Sequence, residues 1–151
     1  MNQNQDIASQ LKRYDELLRS NFVGWLSTIR KKDGLISTNP VGFVWNGETI
    51  RISTLKSRLK YENIRANPLA TFCVMSPKNL MSYVEVRGHA TVIDDPDRSF
   101  AREQFMLGSG GIEPPADMDA PNAERVIILL QPQQVSSPNL YGGRFDDMAA
   151  R

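Results

Sequence analysis

The sequence predicts a mainly β domain, an antiparallel barrel of about six strands with flanking helices. Short alternating or apolar runs recur along the chain, tight-turn signals join several of them directly, and few stretches carry helical spacing. At 151 residues the chain has the size of one domain, large enough to bury a core.

The first element read is helical. Over residues 7–19, Ile7, Leu11, Tyr14, Leu17 and Leu18 recur at three- and four-residue steps with charged residues between them. Residues 22–30 then turn to β-formers, and Lys32-Asp33-Gly34 signals a hairpin. Residues 35–45 form the return strand, with an interruption expected at Asn39-Pro40, where proline has no amide to give a ladder. Asn46-Gly47 is a two-residue turn into a third strand over 49–54. A basic helix follows, starting near Ser57 and stopping at Asn67-Pro68.

Residues 69–75 are a short apolar strand. Residues 82–94 alternate, with Val84, Val86, Ala90 and Val92 on one face and Glu85, Arg87, His89 and Thr91 on the other. Residues 97–106 read as a helix with Asp95 as its cap, 107–123 as a Gly- and Pro-rich loop, and 124–130 as the last strand. The domain expectation is one unit over 1–151, with a helical N-terminal 1–20, the loop 107–123 and a tail 137–151.

Composition narrows the function. The chain is 40% hydrophobic and 23% charged, as in an ordinary soluble globule, and its net charge of +1 argues against a general nucleic-acid binder. No run approaches the length of a membrane span, and the N-terminus lacks the parts of a signal peptide, so the expected location is cytoplasmic. The single Cys73 excludes an internal disulfide and sits in an apolar run, which predicts a buried, inert thiol. No P-loop, dinucleotide fingerprint, zinc spacing or nucleophile elbow is present, and the one histidine, His89, has no partner histidine. Trp25, Trp45, Phe43 and Phe72 suit either a core or the walls of a flat ligand.

The informative stretch is 49–68. Between 51 and 65, Arg51, Lys56, Arg58, Lys60 and Arg65 face a single anion, Glu62. A strand that feeds a cation-rich helix start makes an anion site, because free backbone N–H groups and the helix dipole add to the side chains. Ser53 and Thr54 supply hydroxyls at the turn, and Lys56, Lys60 and Asn63 fall on one helical face. The expected anion is a phosphate. An anion site with no evident acid, base or nucleophile fits a binding protein, or an enzyme whose chemistry belongs to a cofactor.

The succession Ile50-Arg51-Ile52-Ser53-Thr54, Lys60, Asn63-Ile64-Arg65-Ala66-Asn67-Pro68 and Tyr83-Val84-Glu85-Val86-Arg87-Gly88-His89-Ala90-Thr91-Val92 resembles the pyridoxamine 5′-phosphate oxidase-like split β-barrels. More narrowly it is similar to their flavin/deazaflavin oxidoreductase branch, over roughly residues 10–136. The resemblance implies a six-stranded antiparallel split β-barrel that forms a homodimer, with two sites at the subunit interface for the deazaflavin coenzyme F420 or, alternatively, FMN. It implies that Ser53 and Thr54 lie beneath the cofactor phosphate, with Lys56 and Lys60 as cationic partners, and that Asn39, Pro40, Val41 and Gly42 run beside the tricyclic ring. The implied activity is hydride transfer to an electron-poor small molecule. Rival readings are a non-catalytic carrier or sensor of the cofactor, and a haem protein using His89. Vitamin B6 oxidases end in an Arg-x-His motif, whereas the stretch Tyr141-Gly142-Gly143-Arg144-Phe145-Asp146-Asp147-Met148 has none, so that reaction is not expected.

Overall fold

Eleven elements, four helices and seven strands, precede the C-terminal tail in a computed structural model that describes residues 3–136 and 140–144. The single N-terminal helix expected over 7–19 is two: α1, Gln3–Lys12, and α2, Asp15–Arg19. The glutamine-rich start is compatible with a helix but has no apolar period to reveal it. At the break, Arg13 and Tyr14 donate to carbonyls three residues back, at 3.2 and 3.0 Å. Leu11 and Leu18, one from each helix, both reach the core.

The strands are β1 (Val23–Ile29), β2 (Ile36–Gly42), β3 (Val44–Trp45), β4 (Ile50–Leu55), β5 (Leu69–Met75), β6 (Tyr83–Asp94) and β7 (Arg125–Ser136). Helix α3, Leu59–Ala66, joins β4 to β5, and α4, Ser99–Ser109, joins β6 to the last loop. All the pairings are antiparallel, in the order β2-β1-β5-β6-β7-β4-β3. Because β2 and β3 are consecutive pieces of one run separated only by Phe43, the order begins and ends on the same stretch of chain. Counted that way the barrel has six strands. No helix among the described residues is long and apolar enough to cross a membrane.

Inward residues alternate strictly. Leu26, Phe72, Val74, Val84, Val86, Ile50, Ile52, Ile128 and Leu130 fill the core, and Phe43 meets Phe72 edge-on with ring centroids 4.9 Å apart. The expected interruption at Asn39-Pro40 does not occur. Leu26 pairs with Asn39 and Trp25 with Pro40 in an unbroken ladder, which tolerates proline because β2 is an edge strand there. The break falls instead at buried Phe43.

The last strand is also longer than 124–130. It passes through Pro132 to Ser136, because the β6–β7 register shifts at Arg87/Gly88, opposite that proline. Helix α4 runs past Met106 and ends with Gly110 in the left-handed region, φ 72°, so the loop begins later than expected. Its start is held as predicted: the Asp95 carboxylate accepts from the amides of Phe100 and Ala101 at 3.3 and 3.0 Å. Cys73 is half-buried, not buried, and lies on the outer side of β5; burial first, then Glu85, holds its thiol above the ordinary value.

Gly88 is the tightest point of the bulge, where a Cβ would stand 2.0 Å from the backbone oxygen of Gln131. Gly88→Ala must therefore separate β6 from β7, and we expect a loss of about 2–3 kcal/mol in urea unfolding, the scale of an overpacked core. Wild-type stability in that variant would show the bulge to be pliable.

Candidate functional site

The two edges of the sheet meet in a seam. β3 pairs with β4 through Val44–Arg51 and Trp45–Ile50, and continuing that register would place Gly42 opposite Ser53. The paired rungs stop before that point. The Ser53 amide donates instead to the Gln104 Oε1 at 2.8 Å, and Gln104 Nε2 lies 3.0 Å from where a Gly42 Cβ would be. A carboxamide from α4 thus stands where the next rung would be, and beyond it β2 and β4 share no rung.

The pleat divides the expected site residues between two faces. On β2, Asn39 and Val41 point toward the barrel interior with Leu26 and Gly24, whereas Pro40 and Gly42 point outward with Trp25 and Val23. On β4, Thr54 points inward and is 5% exposed, whereas Ser53 points outward. The seam therefore gathers Pro40, Gly42, Ser53 and Gln104 on one surface. Asn39, Val41 and Thr54 lie behind it.

The basic cluster divides in the same manner. Lys56 Nζ lies 3.3 Å from both Asp94 and Glu124, and their hydrogen bonds, Asp94 first, raise its pKa. Arg51 lies under α4, 4.9 Å from the Phe100 ring centroid and 3.7 Å from the Glu103 carboxylate. Its buried Nε has no hydrogen-bond partner among the described residues.

Asn63 faces inward: its Nδ2 donates to Thr28 Oγ1 at 3.1 Å and its Oδ1 accepts from the Lys31 amide at 3.0 Å. It is 5% exposed and ties α3 to the β1–β2 hairpin, so it does not share the face of Lys56. Lys60 differs from all of these. It is half-buried, has no carboxylate partner among the described residues, and its pKa is lowered by burial and then by the charge of Arg58. Helix α3 also begins without a side-chain cap, which leaves its first amides free for an anion.

Ser53 is held from a third side, by a residue that the sequence reading missed. Arg125 Nη1 donates to Ser53 Oγ at 3.3 Å, which leaves the serine's own hydrogen to donate elsewhere. Arg125 in turn grips Asp119 with two bonds of 2.7 and 2.6 Å. The Asp119 side chain is 4% exposed, with Arg98 3.9 Å away. Arg125 chiefly, and Arg98 behind it, hold its carboxyl below the ordinary value against the opposing effect of burial. Arg98 also donates to the Ala123 carbonyl and Arg102 binds Glu113, so the loop after α4 is pinned by three arginines.

No local pattern in the sequence links Gln104, Asp119 or Arg125 to Ser53, since they lie 51, 66 and 72 positions away from it. Among the aromatics, Phe43, Phe72 and Trp45 are core, while Trp25 is 48% exposed beside Pro40. His89 meets Gln133 on the outer face of β6, and no cluster of metal-ligating side chains occurs among the described residues.

Comparison with known proteins agrees with this architecture. The family profile described as pyridoxamine 5′-phosphate oxidase matches residues 11–137. A solved structure of an F420 reductase superposes with a TM-score of 0.73 at 36% identity, covering 83% of this chain and 97% of its own. An FAD-binding protein from Mesorhizobium loti gives 0.59 at 20% identity, with 82% and 90% covered. The General Stress Protein 26 from Bacillus anthracis gives 0.58 at 20% identity, with 89% and 92% covered. At those lower identities the likeness is one of fold. No protein of curated function matches the sequence.

Because the Asp119 carboxyl lies below its ordinary value of 3.8 in the folded protein, it contributes stability above that pH and loses the contribution as pH falls through the folded value. Asp119→Asn should lower stability at neutral pH and flatten the fall in unfolding free energy below the ordinary value of 3.8. Urea unfolding across that range measures it; an unchanged slope would contradict the pairing.

Proposed function

The chain belongs to the pyridoxamine 5′-phosphate oxidase family, and from that premise we propose that it is a homodimeric oxidoreductase that binds a deazaflavin, coenzyme F420, with FMN as the alternative. The observation that carries this reading is the outer surface of the seam. There β2 and β4 share no rung, and β4 leads within four residues into a helix start that has no side-chain cap and bears a half-buried lysine without a carboxylate partner among the described residues.

The residues suit the group in charge and shape. Lys60 and the first amides of α3 would hold its phosphate, and Ser53, whose oxygen already accepts from Arg125, would donate its hydroxyl hydrogen. Lys56 would serve from behind, since Asp94 and Glu124 already neutralise it. Pro40 has no amide donor and Gly42 no side chain, so a flat ring can come close to β2 there. When bound, the cofactor supplies a hydride to an electron-poor organic acceptor. The chain supplies orientation and exclusion of water.

The outer face of β1, β2 and β5, where Val23, Trp25, Ile36, Leu69 and Met75 are all exposed, supports the homodimer in this reading. Such a run of apolar side chains calls for a partner surface, and a second copy would bring its own face against the ring edge. The second reading, a carrier or sensor, gains support from the carboxylates around the seam. Asp94, Glu103, Asp119 and Glu124 are all ion-paired, which leaves no evident acid among them. Turnover of quinones, nitro compounds or enones by the loaded protein separates the two.

Fluorescence titration of the apoprotein with FMN and with F420 tests the cofactor itself. Lys60→Ala should weaken binding by about 1–3 kcal/mol, the scale of a lost charge-assisted hydrogen bond. Equal affinity in that variant would remove Lys60 from the site.

A further inference from the structure

We infer that Gln104 is a ligand-contacting residue, whose carboxamide closes the seam with one end and reads the polar edge of the bound ring with the other. The inference rests on the cofactor reading above and adds to it a residue from α4.

Three observations carry it. The Gln104 oxygen is fixed, because it accepts the Ser53 amide at 2.8 Å exactly where the strand ladder has lost its rung, so the side chain cannot turn its amide end for end without orphaning that N–H. With the oxygen fixed, the orientation of Nε2 is fixed too, over Gly42, at the missing side chain. Nε2 has no acceptor among the described residues, although each of its neighbours in the seam is engaged: Ser53 through both its amide and its Oγ, and Arg125 through Asp119. An amide has two hydrogens to give, and this half-buried one is a donor available to a ligand's acceptor.

The chemistry of the acceptor follows from its place. Nε2 lies on the Gly42 side of the seam, beside the strand proposed to run along the ring. Flavin and deazaflavin rings both carry carbonyl oxygens on their pyrimidine edge, which accept hydrogen bonds. A bond there tunes the electronics of the ring as well as its affinity. Nearby Glu103 is turned toward Arg51, so it does not compete for the donor.

The test uses Gln104→Glu and Gln104→Met in the full chain, titrated with FMN and F420 while the absorption of the bound cofactor is recorded. Gln104→Glu keeps an oxygen for the Ser53 amide but replaces the donor with a second acceptor. It should bind about tenfold more weakly or worse, with a shifted absorption band. Gln104→Met removes both functions at similar volume and carries the same spectral readout if the glutamate variant does not fold. Wild-type affinity together with an unshifted band in the folded variants would overturn the inference while leaving the cofactor reading intact. Failure of the wild-type protein to bind either cofactor would overturn both.

Discussion

One stretch of chain, Ile36–Trp45, must serve both edges of the sheet, and the rest of the structure follows from how it does so. Its first seven residues pair with β1 and its last two with β4, so the sheet can only curl until those edges lie side by side. Phe43 is the pivot. Its ring follows the inward alternation of Asn39 and Val41 into the core against Phe72, and its amide makes the last bond on the β1 side, to the Phe22 carbonyl at 3.1 Å. From Val44 onward the chain pairs with β4 instead. The seam is closed by covalent chain at one end, and beyond the Gln104 bridge β2 and β4 do not pair. Beside that unpaired stretch Pro40 has no amide hydrogen and Gly42 no side chain.

The charge pattern of the same region has two tasks. In the sequence the cations between 51 and 65 look like one basic cluster. In the fold, Arg51 and Lys56 are neutralised by Glu103, Asp94 and Glu124, and they help to fasten α4 and β6 to β4. Solvent-exposed pairs of that kind contribute little stability singly. What they do is leave Lys60 distinct, as the half-buried cation of the cluster without a carboxylate. The contrast between the helix starts is of the same kind: α4 is capped by buried Asp95, whereas α3 has no side-chain cap. The chain satisfies one N-terminus with a side chain and leaves the other without one.

Much of this was legible in the sequence because it is local. The strand over Leu69–Met75 and the alternation through Val84, Val86, Ala90 and Val92 needed only the period of the pleat, and Asp95 needed only its place before a helix. The misreadings came where a residue's usual preference met a special position. Pro40 reads as a break but sits on an edge that has no further strand to bond. The last strand, expected over 124–130, runs on through Pro132, which faces a bulge that Gly88 makes possible. Asn63 has helical spacing with Lys60, yet its amide satisfies Thr28 and Lys31 across the fold. Gln104, Arg125 and Asp119 lie beyond local reasoning altogether, because only the closed barrel brings them to Ser53.

The most direct test of a ligand site in the seam is amide hydrogen exchange, compared between the apoprotein and the protein saturated with F420 or FMN. The account predicts slower exchange on binding in two separate stretches, residues 39–43 and residues 53–60, together with the Gln104 turn of α4, and little change in β5 away from the seam. Protection confined to other surfaces, with those stretches unaffected, would contradict it.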